Sequence, residues 1–169
     1  MVKEKKKGWR EKLHEAKGLP KVEKIEDGMS TRWLAGRSPK GGGRGGGTVA
    51  IPAPIEVNEL MAKVPEGKVT TINEIREAVA KKHKATIGCP ITSGIFAWIS
   101  AYAAEEDRMD KKKDITPWWR TLKSGGQLNE KYPGGIQKQK RLLTKEGHTI
   151  VKKGKKYLVE GYEGKLAVL

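Results

Sequence analysis

Apolar residues recur at two spacings along the chain, and the spacing changes at definable points. Trp9, Leu13 and Ala16 stand three or four apart and predict a short helix over residues 8–17, with Gly18 to stop it. Residues 48–51 read as extended, ended by Pro52 and Pro54. Helical spacing returns over residues 55–64 through Val57, Leu60 and Met61, and Pro65-Glu66-Gly67 is a turn. Thr71 and Glu74 form a capping box that opens a helix bearing Ile72, Ile75, Ala78 and Val79 and ending near His83. After a turn at 84–88, a second helix is expected over 90–107, with Pro90 in its first turn. Its apolar stripe is Ile91, Ile95, Trp98, Ile99 and Tyr102, which makes Ile91, Ile95 and Ile99 candidates for the core. Residues 118–122 suggest a short extended piece, and 136–146 a further helix ended by Gly147. The chain then alternates apolar and polar residues over 149–152 and 156–159 around Lys153-Gly154-Lys155, a basic hairpin.

Two helices joined by a short turn, with a hairpin after them, predict an α+β, mainly helical fold. More narrowly, they predict a winged helix-turn-helix-like domain over residues 48–169, preceded by a basic, partly flexible N-terminal extension over 1–47. Within that extension Ser38 to Gly47 reads SPKGGGRGGG, a loop or linker that Arg37, Lys40 and Arg44 make basic. No internal repeat is visible.

Charge narrows the partner. Lys and Arg total 35 against 20 Asp and Glu, a net of +15. Such a surplus draws polyanions, nucleic acid first. Residues 1–47 carry 13 Lys/Arg and 6 Asp/Glu, a net of +7, so the charge density is highest there. Cys89 is the one cysteine, which excludes an internal disulfide and fits a reducing, cytoplasmic setting. Neither a signal-peptide run nor a transmembrane stretch is present, so no membrane partner is expected. His14, His83, His148 and Cys89 form no metal pattern, the Gly-rich run lacks a phosphate-loop ending, and no cofactor is expected.

From Val64 onward three segments, in order, resemble the DNA-binding domain of alkylguanine DNA alkyltransferases. VPEGKVTTINEI (64–75) is similar to the lead-in to the first helix of its helix-turn-helix. TPWWRTLKSGG (116–126) is similar to the active-site segment, and YPGGIQKQKRLLTKEGH (132–148) to the Gly-Gly segment, its helix and its Glu-Gly ending. The likeness spans about half the chain. The family motif Pro-Cys-His-Arg here reads Pro117-Trp118-Trp119-Arg120. Indole has no lone pair to match a thiolate and its N–H only donates, so alkyl transfer at this position is chemically excluded. Trp in place of that Cys resembles the alkyltransferase-like proteins, which bind a flipped alkylated guanine without repairing it. Trp119 departs from their usual Pro-Trp-His-Arg as well.

The resemblance implies residue roles. Trp118, Trp119, Tyr132 and Glu146 would form a modified-base pocket. Glu146 matches the carboxylate that orients the family's His, and is expected to have lost that partner. Ile72 stands where the family has a phosphate-side Tyr, and Ile91, or Ser93 if the register moves by two, where it inserts an Arg into the duplex. An apolar side chain can still wedge between bases. Thr71, Ile91, Thr92, Ser93, Gly94, Arg120, Lys123, Lys152, Lys153 and Lys155 are the expected DNA contacts, with Lys138, Lys140, Arg141 and Lys156 as further phosphate candidates. Arg120 matches a motif Arg whose role is mainly structural. The two indoles can instead simply fill the space that Cys and His vacate.

The expected function is thus non-enzymatic binding of double-stranded DNA, alkylated or distorted, by a monomer that hands on to repair proteins. Three alternatives stay open: an RNA-binding or ribosome-associated protein that kept the fold, an alkyltransferase using Cys89, and a scaffold whose corresponding face is acidic.

Overall fold

The computed structural model describes residues 6–25 and 47–169, so the expected Gly-rich loop lies, but for Gly47, outside the described residues. The elements run α1 (Trp9–His14), β1 (Lys21–Lys24), β2 (Thr48–Ile51), α2 (Pro54–Ala62), β3 (Thr70–Thr71), α3 (Ile72–Lys82), β4 (Ile87–Gly88) and α4 (Pro90–Met109). A 3-10 turn (Trp118–Arg120), β5 (Thr121–Leu122), α5 (Gly135–Lys145), β6 (Ile150–Lys153) and β7 (Lys156–Val159) follow. The fold is mixed α+β. α3, β4 and α4 make the helix-turn-helix, and the antiparallel β6–β7 pair, with Lys152 opposite Tyr157, is the wing.

Several short strands escaped the sequence pattern. Residues 87–88, expected as turn, pair in parallel with β2, which also takes β1 antiparallel on its other edge. Gly88 is required there, because a Cβ would lie 2.4 Å from the carbonyl oxygen of Arg76 on α3. Residues 118–122 are not one extended piece. The first three form a 3-10 turn, and only β5 is extended, paired in parallel with β3.

The largest departure is on α4, where the helix boundaries are as expected but the core face is not. Ile91 and Ile95 are 50% and 43% exposed. The buried face is Ser93, Ala97, Ser100, Ala101, Ala103 and Ala104. Small side chains let α2, α3 and the 3-10 turn approach the α4 backbone closely, so large residues cannot occupy that face. Trp98 and Tyr102, farther along the apolar stripe, are covered instead by Trp9 of α1, at ring-centroid distances of 5.3 and 4.8 Å.

Glu106 anchors α1 to α4. Its carboxylate accepts from the backbone N–H of Trp9 at 2.9 Å and of Arg10 at 3.1 Å, groups that have no partner within their own helix. Arg10 adds an ion pair to Asp110 at 2.5 Å. The acidic end of α4 therefore serves packing.

The main core joins Val57 and Met61 of α2, Ile75 and Val79 of α3 and the alanine face of α4 around Trp118 and Tyr132. A second cluster, with Val69, Leu122, Leu128, Leu143 and Val159, fastens the wing to α5. Trp118→Ala should lower unfolding free energy by about 3–5 kcal/mol, as loss of a fully buried indole does. Ala101→Leu should lower it by about 1–3 kcal/mol through overpacking. Urea denaturation followed by far-UV dichroism measures both.

Candidate nucleic-acid interface

The segment after α4 determines what is open and what is closed. The 3-10 turn carries Trp118 inward, where it has 0% exposure. Its indole N–H donates to Glu105 Oε1 at 3.2 Å, and its ring meets Tyr132 edge-on at 5.5 Å. A side chain that no water-sized sphere touches borders no cavity able to admit a base. Indole and phenol fill the space around Trp118, while an open cavity of about 510 Å³ lies beside Trp119, lined also by Ala62, Thr116, Pro117 and Arg120. Burial opposes ionisation of Glu105, but hydrogen bonds from Arg108, Lys138 and Trp118 outweigh it and hold the carboxyl below its ordinary value.

Trp119 has a different partner. Its indole N–H donates to Glu146 Oε1 at 2.8 Å, so Glu146, which has no His partner here, is supplied with a donor by a second indole. The same carboxylate receives Arg120, whose Nη2 lies 2.7 Å from Oε1 and whose Nε lies 2.9 Å from Oε2. Arg120 Nη1 donates to the carbonyl of Val64 at 2.7 Å. The Arg120 fork is thus spent on partners inside the protein. Burial raises the Glu146 carboxyl, yet Arg120 and Trp119 bring it below its ordinary value.

Other expected contacts also turn inward. Thr71 is buried; its hydroxyl accepts from the Asn73 N–H at 3.2 Å and meets the Glu74 carboxylate, while its own N–H reaches Glu74 at 3.0 Å. It caps α3. Ser93 is wholly buried, and the Thr92 hydroxyl oxygen is buried too. Lys138 pairs with Glu105 at 2.5 Å and lies largely covered. Cys89, at the N-cap of α4, is buried with Val49 and Ile87. Among the described residues, no group of three His, Cys, Asp or Glu side chains is placed to hold a metal.

What remains outside is coherent. Ile72, Ile91, Gly94, Ile95 and Trp98 line one side of an open groove of about 890 Å³, faced by Lys123, Ser124, Gln127, Asn129 and Lys131. A Cβ on Gly94 would meet nothing within 4 Å, so packing does not require this glycine; its absent side chain leaves the groove open. Lys123 is partly exposed and pairs loosely with Glu130 at 3.3 Å. Gln127 bridges to Leu158 of β7, so the groove's far rim runs directly into the wing. Gly126 allows that junction, since a Cβ would lie 2.3 Å from the ring of Tyr162. On the wing Lys152, Lys153, Lys155 and Lys156 are all exposed, with Lys140 and Lys152 over the Tyr157 ring at 5.6 and 5.7 Å.

Of the expected contacts, the structure thus brings together Ile91, Gly94, Lys123, Lys152, Lys153 and Lys155. Ile95, Lys131 and Gln127 join them unannounced. Exposure of Ile95 had no sequence signal except the alanines at positions 97, 101 and 104, which mark the opposite face as the close-packed one.

No family model and no curated protein matches the chain. Two solved structures are similar to it. One is S. pombe Atl1 in complex with damaged DNA containing O6-carboxymethylguanine, at TM-score 0.48 and 20% identity, covering 68% of this chain and 93% of that one. The other is S. pombe ATL in complex with DNA, at TM-score 0.48 and 21% identity, with the same coverages.

His148 yields a pH prediction. It is buried and neither ring nitrogen has a hydrogen-bond partner. Burial first, then the charges of Lys165 and Arg120, holds it below its ordinary value against the opposing pull of Glu146. In the unfolded chain it takes up a proton near pH ~6.5, while in the folded chain it stays neutral. Unfolded molecules then bind more protons, so stability should fall as pH drops below that value. His148→Leu should flatten the slope of unfolding free energy between neutral and mildly acidic pH in urea titrations. An unchanged slope would assign it to another group.

Proposed function

We propose that the protein is a non-enzymatic DNA-binding module of the alkyltransferase-like kind, which grips duplex DNA with the groove beside α4 and with the wing. The observation that carries this is the continuity of two chemistries on one surface. An exposed Ile91–Ile95 edge lies across an open groove from Lys123 and Lys131, and the rim leads into four exposed wing lysines. Lysines on the rim neutralise phosphates, and an isoleucine pair is an apolar wedge suited to a widened minor groove. A scaffold face of acidic character is not what stands there; Glu130 is the one acid among the groove residues.

Alkyl transfer has no support in this geometry. Trp118 supplies no nucleophile, and Cys89 is buried among apolar neighbours. Because Trp118 and Tyr132 are buried against each other, this reading places discrimination in duplex shape. Distorted DNA is favoured, because a step already unstacked spares the wedge part of a penalty of a few kcal/mol. The RNA alternative predicts the opposite preference.

Fluorescence anisotropy with a short labelled duplex tests the reading. Affinity should fall with salt at a log–log slope of about −0.9 per phosphate engaged. Removing Lys152, Lys153 and Lys155 together should make that slope shallower by about 2–3. A mismatched or abasic duplex should bind more tightly than the intact one, and structured RNA more weakly. Gly94→Leu should weaken binding by about tenfold or more while leaving stability equal or higher, since leucine exceeds glycine in helix propensity by roughly 0.8 kcal/mol. Binding that is indifferent to Gly94→Leu and to Ile91→Asp would remove the groove from the interface.

A further inference from the structure

A second groove lies on another side of α4. Leu19, Pro54, Phe96 and Ile99 form its floor, and lysines of the α1 region form its rim, around a volume of about 820 Å³. Phe96 follows Ile95 by one residue and so faces about 100° away from the DNA-facing edge. The floor is aliphatic and aromatic, with no acidic group in it. On the rim stand Lys6, Lys7, Lys12 and Lys17 with one acid, Glu15. Glu15 is already engaged by Lys7 at 2.6 Å and by Lys17 at 3.5 Å. Lys12 lies over the Trp9 ring at 4.1 Å, and neither Lys12 nor Lys6 has a carboxylate partner among the described residues.

We propose that this groove is a docking site for an acidic peptide segment of a partner protein, one that carries large apolar side chains between its carboxylates. The occupant follows from complementarity. Four lysines against one acid leave a net of +3 on the rim, so a negatively charged ligand is favoured. A phosphate backbone would satisfy the rim but leave the floor wet, whereas a Phe or Leu side chain buries it. The volume is that of a ligand pocket, which spans about 300–1,000 Å³, and large enough for more than one side chain. Lysine heads on long apolar stems form charge-assisted hydrogen bonds with carboxylates while their stems cover the flanks. The site is built by α1 and the turn after it, held on α4 by Glu106, so it exists only while α1 is docked. Its separation from the wing allows one molecule to hold DNA and an acidic segment together.

The probe is a short fluorescein-labelled synthetic peptide of alternating Asp and Glu interrupted by two Phe and two Leu, titrated with the full chain. Saturable one-to-one binding is expected. Lys6→Glu with Lys12→Glu should weaken it by about tenfold or more, and Leu19→Asp should do likewise, with unfolding midpoints unchanged. Lys152→Glu with Lys155→Glu on the wing should leave it within about twofold, and a saturating duplex should not displace the peptide. The proposal is overturned if no saturable binding occurs, or if a peptide with every Phe and Leu replaced by Ser binds equally well. It is also overturned if duplex DNA competes the peptide off, or if wing reversal weakens binding as much as rim reversal. The last two results would assign the groove to the DNA surface instead.

Discussion

Burying an indole requires a partner for its N–H and a wall of small residues to receive its area, and Trp118 finds both on α4. Glu105 accepts the N–H, while Ala97, Ala101 and Ala104 belong to the core cluster that encloses the ring. Glu105 is itself kept charged by Lys138 and Arg108, so one carboxylate links α4, α5 and the 3-10 turn. An unpaired buried carboxylate would destabilise the fold strongly; paired and hydrogen-bonded, it positions three elements. The alanine face of α4 and the outward turn of Ile91 and Ile95 both follow from placing Trp118 at this junction.

Trp119 and Glu146 show how a substituted motif can keep its geometry while losing its chemistry. A carboxylate at the end of α5 needs donors, and an indole N–H with an arginine fork satisfies it as fully as an imidazole would. The arrangement can orient a ring, but it cannot move a proton, since indole neither accepts nor releases one at ordinary pH. The substituted positions therefore contribute to stability and shape.

Charge is distributed with the same economy. The acids that end α4 are used inwardly or against α1, which keeps them away from the lysine wing. Among the described residues, lysines stand on two separate rims, one with an isoleucine edge and one with an aromatic-aliphatic floor. Apolar surface beside each rim adds shape selectivity to attraction that would otherwise be purely electrostatic.

The amino-acid sequence by itself determined the helices, the hairpin and the capping box at Thr71, because periodicity and turn chemistry act over a few residues and need no distant partner. It also determined that Trp118 is no nucleophile, since that is a property of the side chain alone. Which face of α4 is buried was not legible: a helix carries a large apolar stripe and a small-residue stripe with equal ease, and close packing chose the small one. The short strands β1, β3 and β4 were hidden because each needs a partner far along the chain. Where the Trp118 indole, the Arg120 fork and the Lys138 ammonium end was settled only when tertiary packing brought Glu105, Glu146 and Val64 within their hydrogen-bond reach.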